Sequence, residues 1–218
     1  MNFPNPGFFA FINDMDARAK RLIVNAVTFG RVPFVVLFMA LAVAHVYFPA
    51  WWLAVAGTAA LSVAALTDLY DGMLARKWNV ASKFGAMADP LMDKVFYLVV
   101  FPTLLWLLGR QPDEAAHALL MLVFTVLYIL RDQWVTFLRA VGAAYGADVR
   151  AGWMGKLRTA ISFPIACAIY LYASCRPAWL PLPLIYTLEG IAILVNLVSI
   201  VVYTRDYLPW LRRALGEA

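Results

Sequence analysis

The chain has 218 residues, 64% of them hydrophobic and only 14% charged, which suits one domain and excludes an ordinary soluble composition. The solvent such a chain expects is a bilayer. Its net charge of +5 is spread along the rims of apolar segments, where anionic lipid is the simpler partner, so nucleic-acid binding is set aside.

Residues 1–24 mix polar, charged and aromatic residues and lack the basic-then-apolar order of a secretory signal, so the amino terminus is expected in the cytosol. Phe8, Phe9, Phe11 and Ile12 precede Arg18, Lys20 and Arg21. That order fits an interfacial amphipathic helix with its apolar residues in lipid; a frayed polar tail is the alternative. The uncharged run from Val32 to Thr67, broken by a turn at Phe48-Pro49, is long enough for two crossings. Further apolar stretches complete six predicted transmembrane helices, at 30–48, 51–70, 88–109, 115–138, 157–175 and 182–204. The expected class is therefore an all-α integral membrane protein, divided into an interfacial segment 1–24, a six-helix domain 25–206 and a cytosolic tail 207–218.

With both termini on one side, only Arg110 and Arg176 of the 18 lysines and arginines fall on the other. This asymmetry predicts that the shared side is cytosolic, as in a bacterial inner membrane. Two spans contain uncharged runs too short to cross, Val95 to Gly109 and Ala115 to Leu130. They must carry Asp93, Lys94, Arg131 and Asp132 into the membrane, where ionisable groups mark function. Trp51, Trp52, Trp106, Trp179 and Trp210 suit interfacial belts, and His45 and His117 read as interfacial residues at the outer ends. Cys167 and Cys175 read as small buried hydrophobes.

Chemistry concentrates in residues 68–94, DLYDGMLARKWNVASKFGAMADPLMDK. Asp68 and Asp71 share one helical face at the end of the second span, and Asp89 and Asp93 share another at the start of the third. Four clustered carboxylates repel one another and need cations. Oxygen-only ligands select Mg²⁺ or Mn²⁺ over zinc, and two ions roughly 4 Å apart would bridge a diphosphate. Gly72, Ala75 and Gly85 keep those faces free of bulk, so a nucleotide could approach, although tight helix packing is the better account of Gly72 or Ala75 taken singly. Arg76 could grip a phosphate through two donors. Arg131, Arg139, Arg150, Lys156 and Arg158 supply more positive charge than a neutral acceptor requires, which favours a phosphate monoester such as glycerol 3-phosphate. For Arg139 and Arg150, marking the cytosolic boundary is an equal alternative.

The pattern D-x2-D-G-x2-A-R-x8-G-x3-D-x3-D, met by Asp68, Asp71, Gly72, Ala75, Arg76, Gly85, Asp89 and Asp93, resembles the signature of the CDP-alcohol phosphotransferase family. The resemblance extends to Asn25, Thr28 and Arg31 and to the GKLRT run at 155–159. It implies the fold of that family and transfer of a phosphatidyl group from CDP-diacylglycerol to an alcohol, with release of CMP. Asp68, Asp71 and Asp89 would ligate two ions, with Asp93 as general base and a further metal contact. Gly72, Ala75, Arg76 and Gly85 would hold CDP. Asn25 and Thr28 would reach the diphosphate or its metals, helix capping being the competing role for both. Arg131, Arg139, Lys156 and Arg158 would meet the acceptor's phosphate. Homodimers are usual in such a family.

Two positions depart from the pattern: Asp132 follows Arg131 where Glu is expected, and Ser162 stands where Gln is expected. They leave other acceptors open, namely inositol phosphate, inositol, serine, choline or a second lipid. A membrane transporter is the rival of another class, and it would place polar residues at several depths.

Overall fold

A computed structural model describes residues 15–80, 83–147 and 153–216. Within its helices, the side chains of Asp68, Leu69, Asp71, Lys83, Ala86, Met87, Asp89, Pro90 and Lys156 lie outside the description. Six helices follow in order: α1 (Ala17–Tyr47), α2 (Trp51–Lys77), α3 (Lys83–Gly109), α4 (Ala115–Ala144), α5 (Trp153–Cys175) and α6 (Leu182–Ala214), with a single 3₁₀ turn (Pro112–Glu114) before α4. All six are long and apolar enough to cross a bilayer, and the chain is an integral membrane protein.

The helices match the six expected spans but extend past them, chiefly at the end where α1 begins and α6 finishes, called here the site end. Hydropathy detects only the portion a lipid tail would touch, whereas the backbone hydrogen-bond ladder continues through Arg18, Lys20 and Arg21 in α1 and through Arg205, Arg212 and Arg213 in α6. Residues 1–14, most of the expected interfacial segment, lie outside the described residues. From Ala17 onward the chain is already continuous with the first span. The expected tail from 207 likewise continues α6, where Tyr207 packs with Tyr203, Leu138 and Met154.

α1 packs against both α2 and α3, α3 also meets α4 and α5, α2 meets α5, and α6 closes on α4 and α5. The centre is aromatic. Phe101 meets Tyr128 edge-on at 4.8 Å and Phe124 at 5.0 Å, and Phe38 meets Tyr170 edge-on at 4.9 Å. Gly57 on α2 is required by that packing, since a Cβ there would collide with the Tyr170 hydroxyl and ring.

The seam between α4 and α6 is polar by contrast, with cross-helix hydrogen bonds at His117–Glu189, Arg131–Ser199, Trp134–Thr204 and Arg139–Tyr203. Small hydroxyls and buried donors of this kind join helices where lipid offers no hydrophobic drive.

His117 departs from its expected interfacial position. It is fully buried, with Nδ1 3.3 Å from Glu114 Oε2 and Nε2 3.2 Å from Glu189 Oε1. Glu114 also takes Tyr172 Oη at 2.8 Å and Arg176 Nη2 at 3.0 Å. Arg176 adopts a left-handed φ of 43° and caps α5 by donating its N–H to Tyr172 O at 3.1 Å. At the end remote from the site, this cluster ties the 3₁₀ turn, α4, α5 and α6 together.

Candidate active site at the site end of the bundle

The signature begins on α2 and finishes on α3. Between them α2 stops at a Schellman turn: Asn79 takes φ 52°, its N–H reaches Arg76 O at 3.2 Å, and the N–H of Val80 reaches Ala75 O at 3.1 Å. Asn tolerates the left-handed position, and buried Val80 secures the turn. This short reversal puts the turns bearing Asp68 and Asp71 and those bearing Asp89 and Asp93 at one end of the bundle, with α1 packed against both helices.

Asp93 is the one signature acid whose side chain is described. Its Oδ1 accepts a hydrogen bond from Arg31 Nη1 of α1 at 2.6 Å, and Arg31 is fully buried. A buried guanidinium is stable only when paired, so the contact fixes both the carboxylate and the register of α1 on α3. Arg31 stands in the sequence only as part of the family likeness with Asn25 and Thr28, and that likeness is the signal that points to its place at the site.

Asp93 opens on a small cleft lined by Phe96, Tyr97, Tyr128, Arg158, Thr159, Ser162 and Phe163. Arg158 is 6% exposed. Its Cζ lies 4.2 Å from the Tyr128 ring centroid and its Nη2 donates to Asp132 Oδ1 at 3.2 Å, while buried Nε and Nη1 have no hydrogen-bond partner among the described residues. Lys94 braces the other oxygen of Asp132 at 3.4 Å. Asp132 therefore orients a cation of the cleft, which gives its place beside Arg131 a physical role. Arg158 also lies in the second turn of α5, where the helix dipole disfavours cations, so dipole and guanidinium together present a positive face.

The remaining expected residues divide. Lys156 lies in the first turn of α5, two residues from Arg158. Arg131 and Arg139 do not line the cleft with Asp93. Arg131 Nε and Nη2 donate to Ser199 Oγ at 3.0 and 2.5 Å, and both guanidiniums lie against the Tyr203 ring. Arg150 lies outside the described residues. Gly72, Ala75 and Gly85 are half-buried and Arg76 is exposed, with its Nη1 3.7 Å from where a Cβ on Gly72 would sit.

Asn25 and Thr28 stand two and three turns inside α1, so neither is a cap. Thr28 Oγ1 donates to Val24 O at 3.1 Å. With its one hydrogen used, Thr28 retains acceptor capacity only, which suits a cation or its water better than a phosphate oxygen. Tyr97 and Tyr128 escaped sequence reading, although Tyr97 follows Asp93 by four residues and Tyr128 precedes Asp132 by four, each on the same helical face.

No His or Cys stands among the signature positions. The donor set consists of hard oxygens on two helices, and its chemistry fits a divalent ion of the magnesium type.

Six spans bring the turns that bear the paired aspartates and an arginine-lined cleft to one end of the bundle. The sequence matches the CDP-alcohol phosphatidyltransferase family over residues 21–203, and the chain belongs to that family. It is similar to proteins named CDP-diacylglycerol–glycerol-3-phosphate 3-phosphatidyltransferase from Escherichia coli (strain K12), Shigella flexneri serotype 5b (strain 8401) and Shigella sonnei (strain Ss046). Each is 32% identical over 115 residues, covering 52% of this chain and 59% of the relative. The matched segment thus spans little more than half the length of these relatives.

Proposed function

We propose that the chain is a phosphatidylglycerophosphate synthase. It transfers the phosphatidyl group of CDP-diacylglycerol to glycerol 3-phosphate and releases CMP, at the cytosolic face of a bacterial inner membrane. The observation that carries this reading is the cleft in which Asp93, held by Arg31, faces Arg158, whose buried Nε and Nη1 have no hydrogen-bond partner among the described residues.

Asp93 removes the proton from the acceptor hydroxyl. That oxygen forms a bond to the β-phosphorus as the bond from this phosphorus to the oxygen of CMP breaks. Arg158, with Lys156 two residues before it in the chain as a second cation, binds the acceptor's own phosphate and turns its hydroxyl toward Asp93. Gly72, Ala75 and Gly85 bind cytidine on faces with little bulk, and Arg76 binds the departing phosphate. Asp68, Asp71, Asp89 and Asp93 are the residues that would hold Mg²⁺ or Mn²⁺, and bound there the ions supply charge neutralisation across the diphosphate. Asn25 and Thr28 serve that same region from α1.

The test is CMP release by the purified chain, given CDP-diacylglycerol and each candidate alcohol in turn. Release that requires a divalent ion and is fastest with glycerol 3-phosphate is expected. EDTA should abolish it and added Mg²⁺ or Mn²⁺ restore it. Faster turnover with inositol, serine or choline overturns the acceptor assignment, and solute flux without CMP overturns the reaction class.

A further inference from the structure

Three helices meet at Tyr203 of α6, a buried side chain to which the reaction above assigns no part. Arg131 Cζ stands 5.0 Å and Arg139 Cζ 5.4 Å from its ring centroid. Its hydroxyl accepts a hydrogen bond from Arg139 Nη2 at 3.2 Å. The same hydroxyl borders the start of α5 at Gly155, where a Cβ would come within 3.2 Å of it. Arg131 is buried, and buried Arg139 Nε has no hydrogen-bond partner among the described residues. Among the described residues, neither arginine forms an ion pair with a carboxylate.

Two guanidiniums eight residues apart on one helix repel each other, and left to themselves both long side chains would sample many rotamers. An aromatic face attracts each cation, and its hydroxyl fixes the orientation of one. Ser199 Oγ fixes the other by taking Nε and Nη2 of Arg131. Asp132, next to Arg131 on α4, takes Arg158 Nη2 of the cleft at 3.2 Å, and the Tyr203 hydroxyl that receives Arg139 borders Gly155, three residues before Arg158 on α5. The pair therefore adds its charge to the ground on which an anionic acceptor would bind.

The geometry points to Tyr203 as a positioning residue for the acceptor, whose ring and hydroxyl hold Arg131 and Arg139 as a preassembled cationic pair for a phosphate monoester. This rests on the proposed function and deepens it. Gly155 is part of the device, because it leaves the tyrosine hydroxyl room beside α5.

The experiment uses the full chain in detergent and lipid, with CMP release measured against each substrate in turn. Tyr203→Phe keeps the ring and loses the hydroxyl, and should raise KM for glycerol 3-phosphate about threefold; Tyr203→Leu loses both and should raise it about tenfold. In each, kcat should stay within about threefold of the parent and KM for CDP-diacylglycerol should not move. In an Arg139→Gln background, Tyr203→Phe should add nothing further, because its partner is already gone.

A fall in kcat with KM unchanged, a rise in KM for both substrates, or additive effects of Tyr203→Phe and Arg139→Gln would overturn the assignment. If Tyr203→Leu fails to fold, Tyr203→Phe and its cycle with Arg139 decide. Should the parent prefer another phosphorylated alcohol, the glycerol 3-phosphate reading fails alone, and the same KM split is expected with that acceptor. Should its best acceptor carry no phosphate, both fail.

Discussion

Asp93 and Arg158 face one cleft, yet each is held by a different neighbour. Arg31 holds the carboxylate and Asp132 the guanidinium. Replacing Asp93 with Asn keeps the shape and removes the base, so turnover should fall by about 10²–10⁴-fold while CDP-lipid binding persists. Asp68→Asn should instead weaken metal and nucleotide binding together. Paired binding and CMP-release assays separate these outcomes, and parental activity in either variant would remove the assigned role. Arg158→Gln should raise KM for glycerol 3-phosphate by about 10–100-fold and leave KM for CDP-diacylglycerol unchanged, since a charge-assisted contact of roughly 1.5–3 kcal/mol is lost from one substrate only. An equal effect on both substrates would place Arg158 at the nucleotide instead.

At the scale of the helix, much was legible because membrane physics reduces each element to a long apolar run. The six spans and the common side of the signature acids followed from run length and charge. Helix ends did not, since charged turns such as Arg18–Arg21 extend a helix without lengthening its apolar stretch. Packing order was hidden as well, because a hydropathy pattern does not show that α1 packs against both α2 and α3. Arg31 therefore read as an entry residue, while its distant partner Asp93 read as a base and metal ligand. Gly57 illustrates the same limit, being one small residue in an apolar run until Tyr170 is placed against it. Gly57→Ala should force α2 from α5 and cost about 1–3 kcal/mol. Thermal unfolding in detergent reads this directly, and an unchanged midpoint would mean that the ring shifts freely.

Across the whole molecule, two buried charged clusters sit at opposite ends and differ in kind. At the site end, Arg158 keeps two buried donors without hydrogen-bond partners among the described residues. At the remote end, Glu114 is answered by His117, Arg176 and Tyr172, while Glu189 meets His117 through Oε1 and its buried Oε2 has no hydrogen-bond partner among the described residues. These residues were illegible as a group because His117 and Glu189 stand 72 residues apart, each an isolated polar letter. The first arrangement lines a cleft, and the second ties the 3₁₀ turn, α4, α5 and α6 together. Glu189→Gln keeps the volume and removes one charge from a fully buried network. It should destabilise by about 1–3 kcal/mol and lower the unfolding midpoint by roughly 2–12 °C. Both KM values and kcat at 25 °C should be unchanged, and the loss should add to that of Gly57→Ala, which shares no contact with it. A Glu189→Gln variant that altered KM for either substrate would mean that the two ends are coupled through the polar seam of α4 and α6. That coupling is what a transport pathway would need and what a cytosolic-face transferase does not.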